Sequence, residues 1–73
     1  MMENFKYRMY GKTELALQYC THLSASAARR KLMQWIELHP TLQETLQRYG
    51  LKESSRCFTP IQVRLIVEAI GEP

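Results

Sequence analysis

A chain of 73 residues holds one small domain, near the lower limit at which a single apolar core sustains itself. Its hydrophobic content of 45% excludes the disordered class, and no apolar run approaches the ~20 residues that cross a bilayer. The net charge of +3 is unevenly carried: +4 through Ile36, where Lys6, Arg8, Lys12, Arg29, Arg30 and Lys31 oppose Glu3 and Glu14, and −1 from Glu37 onward.

That asymmetry points to an anionic partner for the first half. The opening Met1-Met2-Glu3-Asn4 has neither a basic n-region nor an apolar h-region. A cytoplasmic setting follows as the expectation, with Cys20 and Cys57 as reduced thiols. No repeat, low-complexity tract or linker interrupts residues 1–73, which read as one helical domain.

Taken in order, Phe5 to Tyr10 alternates apolar and basic residues, the period-2 pattern of a half-buried strand with Phe5, Tyr7 and Met9 inward. Gly11 ends it. Lys12 to Tyr19 predicts a helix that places Leu15, Ala16 and Tyr19 on one face. Cys20 to Leu23 connects, and Ser24 or Ser26 suits the N-cap of a longer helix from about Ala25 to Leu38. Its apolar face is Ala28, Leu32, Trp35 and Ile36. His39-Pro40 stops it, since proline disfavours the α region for the residue before it.

Two capping boxes follow. Thr41-Leu42-Gln43-Glu44 opens a short helix carrying Leu42, Leu46 and Tyr49, closed by Gly50 in the left-handed position with Leu51 making the accompanying contact. Thr59-Pro60-Ile61-Gln62 opens the last helix, buried through Val63, Ile66, Val67 and Ile70 and ended by Gly71. Between them Arg56-Cys57-Phe58 suits a short strand. The expected fold is mainly α: about four short helices, a helix-turn-helix-like pair, and a two-stranded ribbon of Phe5–Tyr10 with Arg56–Phe58.

Residues 14–36 form the main functional candidate. A helix, a turn and a longer basic-shouldered helix is the arrangement by which helix-turn-helix proteins enter the major groove. Arg29 and Arg30 suit phosphate or guanine contacts, and Gln34 suits adenine. Ser26, Lys31 and an exposed Lys12 suit the DNA backbone. If Ala16 takes the small-residue position, Cys20 replaces the usual turn glycine. The register then closes only with a turn about two residues longer, which makes Leu23 and Ala28 the buried anchors.

Other chemistries are weaker. Cys20, His22, His39 and Cys57 lack the paired ligand spacing of a zinc finger or knuckle, and no cofactor is expected. The chain has no aspartate, and its seven glutamates are scattered, so no carboxylate pair serves acid–base work. No nucleophile stands in a base context, and no glycine-rich loop cradles phosphate. A non-catalytic protein is expected. Trp35 and Tyr19 read as core rather than as a stacking platform. The last helix also carries Ile61, Leu65 and Ala69 off its buried stripe, which motivates the alternative of a homodimerising or protein-interaction module.

Tyr10-Gly11-Lys12, Glu14-Leu15-Ala16, Leu32-Met33 and Trp35-Ile36 resemble a family of small proteins of unknown function from Bacteroides-type bacteria. The ending Phe58-Thr59-Pro60, Gln62-Val63, Ile66-Val67 and Ile70 to Pro73 is similar to that family too. More loosely, Tyr10, Lys12, Glu14, Leu15 and Ala16, together with Phe58 to Val63, resemble the openings of the first and last helices in excisionase and MerR-type domains. That likeness implies a helix-turn-helix fold and DNA as partner, although the extra helix from Thr41 to Tyr49 has no counterpart there.

Overall fold

The computed structural model describes residues 5–73. In chain order they form β1 (Tyr10–Gly11), α1 (Lys12–Tyr19), α2 (Ala25–Glu37), α3 (Pro40–Arg48), β2 (Cys57–Phe58) and α4 (Pro60–Ile70). The two strands pair antiparallel, Tyr10 with Phe58 and Gly11 with Cys57. The mainly α architecture with a two-stranded ribbon is the one expected, but the ribbon starts later than the alternating pattern implied.

Residues 5–9 are not a strand. Tyr7 and Met9, expected inward, are 45% and 55% exposed, whereas Tyr10 is buried. The segment curls on itself instead. The Phe5 ring stacks on Tyr10 at 5.4 Å, and the Tyr10 hydroxyl donates to the Lys6 carbonyl at 3.1 Å. Aromatic rings that pack against each other along one segment override a period-2 pattern that has no partner strand to match.

Helix starts follow local chemistry. Glu14 accepts from the Gly11 N–H at 3.1 Å, so the carboxylate half of a capping box starts α1. Ser24 caps α2, its hydroxyl accepting from the Ala27 N–H at 3.3 Å. In α4 both halves of the Thr59/Gln62 box are made.

The Thr41/Glu44 box, by contrast, does not form. α3 begins two residues earlier than a Thr41 cap implies, at Pro40, and its N-cap His39 makes no side-chain capping bond. Proline needs no N–H partner in a first turn and has a helical φ already set, so Pro40 starts the helix and Thr41 falls inside it. The other end is a Schellman motif. The Leu51 N–H donates to the Leu46 carbonyl at 2.9 Å and the Gly50 N–H to Gln47 at 3.0 Å, with Gly50 at φ 97°.

Leu15, Ala16, Ala28, Leu32, Ile36, Leu46, Phe58, Val63 and Ile66 are essentially inaccessible and form one core. α1 packs on α2, α2 on α3, and α3 on α4, while β2 joins α4 to the ribbon. α2 thereby buries one stripe and presents the rest of its circumference outward. No helix among the described residues is long and apolar enough to cross a membrane.

Candidate nucleic-acid interface

α1 leads into α2 through the five residues Cys20 to Ser24. Of the two residues expected as buried anchors, Ala28 is fully buried, whereas Leu23 is only partly buried and packs against the edge of the core. Cys20 is buried at the end of α1 with φ −119°, so this position has no need of a left-handed glycine.

Ser26, Arg29, Arg30, Lys31 and Gln34 are all exposed on α2. Their helical spacing sorts them. Ser26, Arg30 and Gln34 succeed one another four apart and form a single outward row. Arg29 and Lys31, two positions apart, fall roughly 200° from each other around the axis and flank that row on opposite sides. Among the described residues, none of the three cations has an acidic partner within 4.0 Å. Glu37 is exposed on the last turn, so positive potential is confined to the first turns of the helix.

Lys12 does not belong to this surface. Expected to be exposed, it is only 4% accessible, and its ammonium donates to the Lys52 carbonyl at 3.2 Å. Its own backbone N–H donates to the Arg56 carbonyl at 2.9 Å, which continues the ribbon into α1 and draws the side chain under the loop after α3. Burial holds this ammonium below the usual lysine range; Arg29 adds to the effect and Glu53 opposes it.

Arg8 is likewise occupied. It pairs with Glu14 at 2.8 Å and lies over the Tyr10 ring at 3.8 Å. The hydrogen bond from Arg8, then that from the Gly11 N–H, holds the Glu14 carboxyl below its ordinary value. The charge excess of the first half is therefore narrower in space than in sequence. What remains free on α2 is Arg29, Arg30 and Lys31.

Cys20 is buried and Cys57 exposed, and no group of three His, Cys, Asp or Glu side chains gathers among the described residues. Trp35 and Tyr19 meet edge to face at 5.9 Å and pack against the core as expected, each staying partly exposed. What sequence reasoning missed is Leu38, which is 75% exposed just past α2. The only signal was its place between the α2 stripe and Pro40, where it read as the last turn of a buried helix.

Neither the curated proteins nor the solved structures compared with the chain gave a match. A family model described as "Domain of unknown function (DUF4248)" matches residues 6–73, almost the entire chain. The match takes in both halves of the α1–α2 pair, the ribbon and α4, and on that extent the chain belongs to the DUF4248 family.

Proposed function

We propose that this protein is a non-catalytic, DNA-binding accessory or regulatory protein of helix-turn-helix type, with α2 as the recognition helix. The observation that carries the reading is the outward row Ser26, Arg30 and Gln34, flanked by Arg29 and Lys31, on a helix whose cations lack acidic partners among the described residues. Arg30 and Gln34 face base edges, with Arg reading guanine and Gln adenine. Arg29 and Lys31 take the phosphates on the two sides of the groove, and Ser26 adds a backbone contact near the helix start. Lys12 has no part in this. The resemblance to proteins of Bacteroides-type bacteria supports a bacterial source, and the free Cys20 and Cys57 support a cytoplasmic setting.

Affinity for labelled duplex DNA, measured at two salt concentrations, tests the reading. Neutralised phosphates release counterions, so binding weakens steeply with salt. With two phosphate-facing cations, Arg29 and Lys31, a threefold rise in salt lowers affinity by roughly sevenfold. Arg29→Glu/Arg30→Glu removes both the binding and its salt slope. Weak binding that is flat with salt and indifferent to this double variant overturns the proposal.

A further inference from the structure

Where the end of α2 meets α3 and α4, two open hollows of about 410 and 430 Å³ lie side by side, the first mainly apolar and the second of mixed lining in which aromatic and aliphatic side chains meet polar groups. The first is walled by Pro40 and Leu42 of α3 and Leu65 of α4. The second is walled by Tyr19, Trp35 and Ile70. Leu38, His39 and Ala69 line both, so the hollows form one groove with the exposed Leu38 at its middle.

We propose that this groove docks an amphipathic helical segment of another protein, one with two apolar anchors and Lys or Arg along its flanks. The shape suits helix-in-groove recognition, in which anchors a turn or two apart fill successive hollows. The edge-to-face Tyr19 and Trp35 rings supply the rigid aromatic wall typical of interface hot spots.

Charge selects the occupant. Glu68 lines the first hollow and Glu72 the second, and no Lys or Arg lines either. Glu68 is held only loosely, by Arg64 at 3.4 Å, with both side chains about three-fifths exposed. A second copy of this chain seated about a two-fold axis brings the same acidic rim against itself, and like charges across an interface are penalised. A segment with basic flanks meets the rim with opposite sign. The proposal is independent of the nucleic-acid reading, because it uses none of the α2 cations.

The single tryptophan lies in the groove and reports occupancy directly. The probes are two labelled synthetic helical peptides of about four turns, identical in their leucine anchors, one with Lys flanks and one with Glu flanks. The Lys peptide is expected to shift Trp35 emission and to bind about tenfold more tightly than the Glu peptide, the equivalent of two modest ion pairs. Leu38→Ala and Ala69→Arg, both at exposed positions, each weaken that binding about tenfold or more. Ile61→Lys, exposed on α4 outside both hollows, leaves it unchanged.

Equal affinity for the two peptides, no binding of either, or binding that survives Ala69→Arg overturns the proposal. Self-association on sedimentation that Ala69→Arg abolishes also overturns it and assigns the face to a second copy. Duplex affinity is measured on the same variants, so loss of one activity is read separately from loss of the other.

Discussion

The side-chain amide of Gln62 in α4 donates to the backbone carbonyl of Tyr49, the residue that ends α3, at 2.9 Å. Its oxygen meanwhile accepts from the Thr59 N–H at 2.9 Å, and the whole side chain is buried. One glutamine thus caps its own helix and closes the preceding one, joining α3 to α4 across the loop between them. Gln62→Leu keeps the bulk but leaves a donor and an acceptor without partners. It is expected to destabilise the fold by about 1–3 kcal/mol in urea unfolding. Thr59→Ala costs about 1 kcal/mol, and the double variant costs less than the sum because both residues serve one box.

Two glycines respond in opposite directions. Gly50 has φ 97° with nothing within 4 Å of where an added Cβ would sit, so Gly50→Ala is penalised by backbone conformation alone. Thermal unfolding is expected to show a loss of about 1–2 kcal/mol, with Gly50→Asn milder because asparagine tolerates that region better. Gly11 has φ −62°, and the nearest atom to an added Cβ is the Glu14 Cβ at 3.7 Å, an ordinary contact. Gly11→Ser supplies the missing half of the α1 capping box and is expected to stabilise by about 0.5–1 kcal/mol. A loss at Gly11→Ser shows that the N-cap geometry is not the one described.

These positions also show what the sequence alone makes legible. Most features decided within one turn of chain are readable, the Thr41/Glu44 box apart: the Thr59/Gln62 box, the Gly50 end of α3, and the α2 stripe through Ala28, Leu32 and Ile36. Features decided by distant partners are not. Lys12 sits at a helix start that looks solvent-facing until the Lys52 carbonyl folds over it. Tyr7 and Met9 alternate like strand residues, yet the strand that pairs with β2 is Tyr10–Gly11. The five α2 residues of the candidate interface are exposed as read. The groove was only half visible, through Leu65 and Ala69 of α4, because Trp35 joins it from α2 and Leu38 from just past the end of α2.

Lys12 makes a test of burial against charge. Its ammonium is nearly inaccessible and is held by one backbone carbonyl, with no carboxylate in ion-pair range among the described residues. The ammonium of the folded state loses its proton at lower pH than in the unfolded chain, whose value is near 10.5. Between those two points the unfolded state binds more protons, so Lys12 makes stability rise with pH through that window. Lys12→Met fills a similar volume without charge and is expected to match or exceed wild type at neutral pH, within about 1 kcal/mol. The wild-type-minus-variant difference then moves in favour of wild type as pH rises toward 10.5. A variant that is strongly destabilised at neutral pH, by contrast, assigns the ammonium a structural role greater than its single bond implies.

Tyr19 carries the opposite slope, and it reports on the groove. Burial, then the nearby Glu72 charge and Tyr7, push its hydroxyl from 10.0 up to about 12. The folded state therefore keeps a proton that the unfolded chain releases near 10.0, and between 10.0 and about 12 the folded state is the more protonated. The contribution to stability is whole below that window and is lost as pH rises through it. Tyrosinate absorbance is expected to lose a late component in Tyr19→Phe, which also removes the hydrogen bond to the Gly71 carbonyl. Glu72→Gln lowers that component only partway, because burial is the larger cause. Collapse of the late component to an ordinary phenol value in Glu72→Gln makes the carboxylate, and not the half-buried packing against Trp35, the source of the shift. The second hollow is then wetter than its lining implies, and the apolar anchor proposed for it loses its footing.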